Sequence, residues 1–280
     1  MQKFHLELLF HIIGISSASG LIYDNDNLYL ISDNSHMLYE YNTTSKELNK
    51  TALVANDYNG PLENIPKKQK PDYEAIVAKD GDLYLFGSGS GEDRNSIGHI
   101  NKESKETYPH IDATDLYLIM QSFGEIAPED FNIEGAVNDG STWYVFQRGN
   151  GPAGQNGVFT LEGDISDTYF QIIYNEIKLP KINGVQSGFT DAVKVENKIY
   201  FLAAAERSGS TQKDGKIAGS LIGRLDIETM KIEFTQEISD KKFEGITLYK
   251  TLGNTLEFLL CEDPDNKATQ SDIYKLTIQK

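Results

Sequence analysis

The chain has 280 residues, and its 26 Lys+Arg against 42 Asp+Glu leave a formal charge of −16. That balance excludes a binder of nucleic-acid backbones, which needs a basic face, and argues against docking on an anionic membrane surface. A single cysteine, Cys261, makes no internal disulfide, while 10% aromatic residues and 8 prolines describe an ordered, strand-favouring chain.

Met1 to Gly20 superficially resemble a signal peptide: Lys3 precedes Leu8-Leu9-Phe10, and Ser16, Ser17, Ala18 and Ser19 follow. His5, Glu7 and His11 break the apolar run that such a signal requires. Phe4, Leu6, Leu8, Phe10 and Ile12 instead fall at every second position, the period of a strand. No run approaches the ~20 apolar residues that cross a bilayer. The expectation is a strand over 3–13 in a cytoplasmic protein, with export through an atypical signal as the alternative.

From there one pattern recurs. A polar or acidic residue and a small residue open an apolar strand; a turn follows, then a strongly apolar second strand. The copies begin Ser19-Gly20-Leu21, Glu74-Ala75-Ile76, Glu134-Gly135-Ala136, Asp191-Ala192-Val193 and Glu244-Gly245-Ile246. Their second strands are Asn27 to Asp33, Asp82 to Ser88, Thr142 to Arg148, Lys198 to Ala204 and Glu257 to Glu262. The openings are spaced by 55, 60, 57 and 53 residues, and each interval holds two weaker strands. Four strands per repeat at this period describe the blades of a β-propeller. The expectation is an all-β, single-domain, five-bladed propeller with blades at 15–55, 71–112, 131–180, 188–238 and 242–280. The last blade lacks one strand, and 3–13 completes it, leaving no open ring end. A six-bladed ring is the alternative, its extra unit drawn from 56–70 or 105–130. Ala113 to Phe123 is the one convincing helix. Trp143 and the second-strand tyrosines read as blade core.

The first strand of a propeller blade lines the channel, and the second runs back antiparallel. First-strand starts and second-strand ends therefore emerge on one face. This places Ser19, Glu74, Glu134, Asp191 and Glu244 in a ring at one channel mouth, joined by Asp33, Ser88, Arg148, Glu206, Glu262 and Asp263. Crowded carboxylates suit a hard cation such as calcium, which takes six to eight oxygen ligands; Glu74, Glu134, Asp191, Glu244 and Glu262 are the candidate metal ligands. Glu134, Glu74 and Asp191 are also the candidate catalytic acids. The competing reading is that each acid caps its own blade or pairs with Arg148.

Only four arginines stand among the 26 basic residues. Arg94, Arg148 and Arg207 follow second strands and open on the same face, where with Ser88 and Asp33 they are candidates for holding a small anionic ligand or substrate. Equally, they neutralise the acid ring. Lysines appear scattered over outer strands and turns. The polar loops Gly87 to Asn95, Gly149 to Asn156, Glu206 to Gly219 and Glu262 to Ser271 share this face. Gly149 to Gly154 matches the dinucleotide fingerprint in letters, but a strand follows rather than a helix, so no nucleotide cofactor is expected. Asp263 to Asn266 resembles half a calcium loop that lacks its closing Glu. The histidines show no ligand spacing, and a monomer is expected.

Several segments carry a family resemblance: Asn64 to Lys68, Pro71 to Ala75, Phe86 to Ser90, Asn132 to Ala136, Phe146 to Gly151 and Phe243 to Thr247. They resemble an uncharacterised family of bacterial propeller proteins common in Bacteroidetes, over nearly the whole chain. More distantly, the repeated Glu-Gly and Glu-Ala strand starts are similar to the esterase-like, phytase-like and SdiA-regulated propellers. Some of those bind calcium and most are exported. The resemblance implies the propeller fold and, from the distant relatives, a metal-dependent phosphoester or ester hydrolase. A non-catalytic small-ligand or peptide binding module, or an interaction scaffold, is the alternative.

Overall fold

In the computed structural model, residues 4–55, 57–149, 154–166, 171–207, 215–263 and 269–280 are described. Strand β1 (Phe4–Ile13) precedes the first complete blade: β2 (Ala18–Asp24), β3 (Asn27–Ser32), β4 (Met37–Asn42) and β5 (Leu48–Ala52). The second blade holds β6 (Tyr73–Lys79), β7 (Asp82–Gly87), β8 (Ser96–Asn101) and β9 (Ile111–Asp112), and helix α1 (Thr114–Gly124) follows it. The third comprises β10 (Ile133–Asp139), β11 (Thr142–Gln147), β12 (Gly157–Glu162) and β13 (Gln171–Glu176). A short β14 (Lys181–Ile182) leads into β15 (Val185–Val195), β16 (Lys198–Arg207), β17 (Lys216–Asp226) and β18 (Lys231–Ser239). The last blade contains β19 (Phe243–Leu252), β20 (Thr255–Glu262) and β21 (Gln270–Gln279).

Within each blade the strands pair antiparallel in chain order, and the fifth sheet runs β1-β21-β20-β19. The N-terminal strand thus supplies the missing fourth strand, with Phe4 opposite Ile278 and Ile13 opposite Gln270. There are five sheets, and the six-bladed alternative is set aside: 105–130 folds into β9 and α1, and no strand forms among the described residues of 56–70.

Period-2 alternation decides where each side chain goes. Leu28 and Leu30 pack into the seam between blades five and one, while Tyr29 and Ile31 enter the seam between blades one and two. The same division repeats around the ring, giving one apolar cluster per seam. Second strands are therefore apolar on both faces, which is why they read as near-continuous hydrophobic runs. Trp143 is 1% exposed, within the seam between blades two and three. There α1 buries Leu116, Tyr117 and Met120 and ties itself to the ring through the Tyr117 hydroxyl, which donates to the Gly87 carbonyl at 2.7 Å. The tight β2–β3 turn needs two residues with positive φ, which Asn25 (47°) and Asp26 (65°) supply.

Candidate acidic channel mouth

The inner strands β2, β6, β10, β15 and β19 are neighbours around the ring. Each carries a bulge near its start. Pairing with the second strand skips a residue at Ser19, Glu74, Glu134, Thr190 and Glu244. A bulge leaves its residue unpaired and re-aims its side chain. The ring position in blade four is therefore Thr190. The expectation of Asp191 there is off by one residue, and three blades rather than four place a carboxylate at this position.

Ser19 and Thr190 do the same job in their blades. The Ser19 hydroxyl donates to the Tyr73 carbonyl at 2.6 Å, and the Thr190 hydroxyl donates to the Phe243 carbonyl at 2.7 Å. In each case the acceptor is the residue just before the next blade's ring glutamate. Asp191 sits one step along β15. Its two oxygens accept the backbone N–H groups of Ala192 (2.7 Å) and of Ile246 in the next blade (2.8 Å). Burial pushes its carboxyl well above the usual range, against those two hydrogen bonds. It fastens β15 to β19.

Second-strand ends meet this ring as topology requires, in two clusters. In the first, Asp72 accepts from the Ser88 hydroxyl at 2.5 Å and from Arg94 at 2.7 Å, and its other oxygen lies 2.6 Å from Lys70. Lys70 also pairs with Asp33. Burial opposes the charge on Lys70, but Asp72, Glu74 and Asp33 outweigh it and raise its pKa. Burial also pulls Asp72 upward, yet Lys70 and Arg94 hold its carboxyl below the ordinary range. Glu74 has no side-chain hydrogen bond among the described residues. Burial, Asp72 and Glu134 push its carboxyl well above the usual value. One oxygen from each of Asp33, Asp72 and Glu74 lies within 4.8 Å of the others.

In the second cluster Arg148 bridges Glu134 (3.1 Å) and Glu206 (2.7 Å), and Lys242 bridges Glu206 (3.1 Å) and Glu244 (2.8 Å). Asn132 donates to Glu134 at 2.5 Å. Burial raises Glu134 to about 7, Arg148 working against it and Glu244 with it. Glu206 goes the other way: Arg148 and Lys242 overcome its burial and bring it to about 2. Glu262 stands apart, paired with Lys241 at 2.8 Å and 2.9 Å.

The structure thus gathers Asp33, Glu74, Ser88, Arg94, Glu134, Arg148, Glu206 and Glu244 from the expected set. Arg207 is not among them; it is exposed at the end of β16 and, among the described residues, donates to the Asn183 carbonyl at 3.3 Å. Arg94 and Arg148 point inward at carboxylates. Lysines are not confined to outer strands, since Lys70 and Lys242 are built into the mouth. Each stands two residues before an acid that it pairs with, Lys70 before Asp72 and Lys242 before Glu244. Parts of the loops Gly149 to Asn156, Glu206 to Gly219 and Glu262 to Ser271, and most of the Asp263 to Asn266 motif, lie outside the described residues.

Solved propellers share this architecture. The Malassezia sympodialis allergen Mala s 1 superposes with a TM-score of 0.57 at 11% identity, covering 96% of both chains. The Myxococcus xanthus glutaminyl cyclase gives 0.56 at 9% identity, over 98% of this chain and 97% of that one. A luciferin-regenerating enzyme gives 0.53 at 11% identity, over 99% and 97%. At such identities the likeness is one of fold. No curated protein matches the sequence. A family model does, across residues 14–278, and the chain belongs to that family, DUF6929, a family of unknown function.

Proposed function

We propose that the channel mouth is a binding module for a divalent cation, held by Asp33, Asp72 and Glu74. The observation that carries this reading is the approach of three carboxylate oxygens to within 4.8 Å of one another, with no hydrogen-bond donor to Glu74 among the described residues. Clustered carboxylate oxygens suit calcium or another hard cation. The ion takes the place of the Lys70 ammonium between Asp33 and Asp72, and Glu74 joins them.

A bound cation supplies Lewis acidity toward water or an ester oxygen, which is the hydrolase version of this reading. Binding without turnover is the better supported version. The Arg94 and Arg148 guanidiniums already serve Asp72, Glu134 and Glu206, so the mouth offers an anionic substrate little that is not engaged.

Thermal unfolding with calcium, magnesium, manganese or chelator is the test. A rise in melting temperature with one of the ions, abolished in Glu74→Gln, is expected. The absence of a shift with every ion removes the cation reading. Turnover on a phosphoester and ester panel that depends on both the ion and Glu134 would restore the hydrolase version.

A further inference from the structure

The face opposite the acid ring holds a cleft of ≈ 330 Å³ at the seam between blades five and one. That is the lower end of the range for small-molecule sites, about 300–1,000 Å³. Its apolar side is made by Leu9, Phe10, Tyr249 and Leu259, and its polar rim includes Asp26 and Lys46. We infer that this cleft binds a small zwitterion with an aromatic or bulky apolar body, the size of a single amino acid. The inference is independent of the cation site.

Three observations converge on it. First, the pairing of β1 with β21 skips at Leu9, and the pairing of β19 with β20 skips at Tyr249. These are bulges in two different strands of one blade, and both bulged residues line the same cleft. Bulges re-aim side chains and are over-represented next to active sites, as they are at sheet edges. Phe10, directly after the first bulge, faces blade one and stacks on Tyr41 at 5.4 Å. Leu259, 0% exposed, is the floor.

Second, the rim charges are pre-positioned rather than waving in solvent. The Tyr23 hydroxyl donates to one Asp26 oxygen at 3.0 Å, and the Tyr23 ring packs edge-on to Tyr249 at 4.9 Å. Lys46 donates to the Thr43 carbonyl at 2.5 Å and lies 5.1 Å over the Phe10 ring. Asp26 and Lys46 both sit in turns at positive φ, 65° and 66°, which fixes where their side chains start. Third, the two charges are opposite and are not paired with each other among the described ion pairs. Asp26 is left to meet a ligand's ammonium and Lys46 its carboxylate, while the aromatic walls take the body.

L-Phenylalanine is the probe, titrated by calorimetry beside phenethylamine and 3-phenylpropionate, each of which lacks one of its charges. L-Phenylalanine is expected to bind at least tenfold more tightly than either analogue. Asp26→Asn and Lys46→Met, on exposed turns, are expected to weaken it at least tenfold without moving the melting temperature. Tyr249→Ala is expected to abolish binding. Equal binding of 3-phenylpropionate and L-phenylalanine overturns the zwitterion assignment. Binding that survives both Asp26→Asn and Tyr249→Ala places the ligand elsewhere, and no binding by any of the three compounds overturns the site.

Discussion

At the scale of single residues, the mouth is a set of buried charges whose energies oppose one another. Arg148 is 13% exposed and bridges two carboxylates. Removing one partner of a buried pair costs about 3–5 kcal/mol, because the other charge stays buried and uncompensated. Arg148→Met is therefore expected to lose about that much stability in urea unfolding. Glu206 and Glu134 give the pH profile two limbs of opposite sign. The folded value of Glu206 is depressed from 4.5 to about 2, so its contribution is present above pH 4.5 and lost as pH falls toward 2. The folded value of Glu134 is raised from 4.5 to about 7. The unfolded chain gives up that proton first, and stability falls as pH rises from 4.5 to 7. Denaturation midpoints of Glu134→Gln should fall less steeply between pH 4.5 and 7 while keeping the acid limb, the remaining fall coming from the raised carboxyls of Glu74 and Asp191; a fall as steep as the parent's assigns it to those two groups alone. The hydroxyl latches are a separate matter. Ser19→Ala and Thr190→Val each orphan a buried carbonyl and are expected to cost about 1–3 kcal/mol.

Much of this site was written in the sequence, but one residue out of register. Asp191 precedes an alanine, as Glu74 does, and so imitates the ring motif. The surer signal lies on the other side: Tyr73, Ile133, Phe189 and Phe243 are fully buried residues immediately before the ring position. Aligning on Phe189 selects Thr190. Lys70 and Lys242 were legible only through their spacing to Asp72 and Glu244, since a lysine's long side chain carries little information about where its ammonium ends. The opposed pKa shifts are not legible at all, because they depend on three-dimensional burial.

At the scale of elements, the inner strands crowd the axis. A Cβ on Gly135 would lie 3.2 Å from the Asp191 Cα, and one on Gly245 would lie 3.0 Å from the Gly20 Cα and 2.7 Å from the Cys261 sulfur. Backbone cannot step aside as a side-chain tip can. Gly135→Val should push β10 from β15 and cost about 1–3 kcal/mol or more, read as a lower thermal midpoint. The glycine after the ring glutamate in blades three and five, conspicuous in the sequence as Glu-Gly, is thus explained by strand approach rather than by chemistry. Helix α1 shows the reverse case. Its helical character was readable from 113–123, but not its role in closing the seam between blades two and three.

At the scale of the whole molecule, the ring is closed by a single strand. Four-strand periodicity, and the shortage of one strand in the last repeat, made this closure readable before any coordinates. Seam packing follows from it, because each second strand is apolar on both faces. Deleting residues 4–13 leaves the outer edge of β21 open and uncovers Ile273, Leu276 and Ile278, which are otherwise at most 2% exposed. The expected result is loss of a cooperative melting transition. A circular permutant that carries 4–13 after residue 280 should regain it, since β1 and β21 already run antiparallel with Phe4 opposite Ile278. A deletion mutant that melts like the parent would show that β1 is dispensable.

That pairing also fixes an order of events during synthesis. Of the ring's strands, β1 is made first and its partner β21 last. While the blades between them are being made, this alternating apolar segment has no native neighbour, and the open outer edges of finished blades offer themselves as substitutes. The ring therefore closes only once β21 has been made, and the search of β1 for β21 is expected to be a slow step.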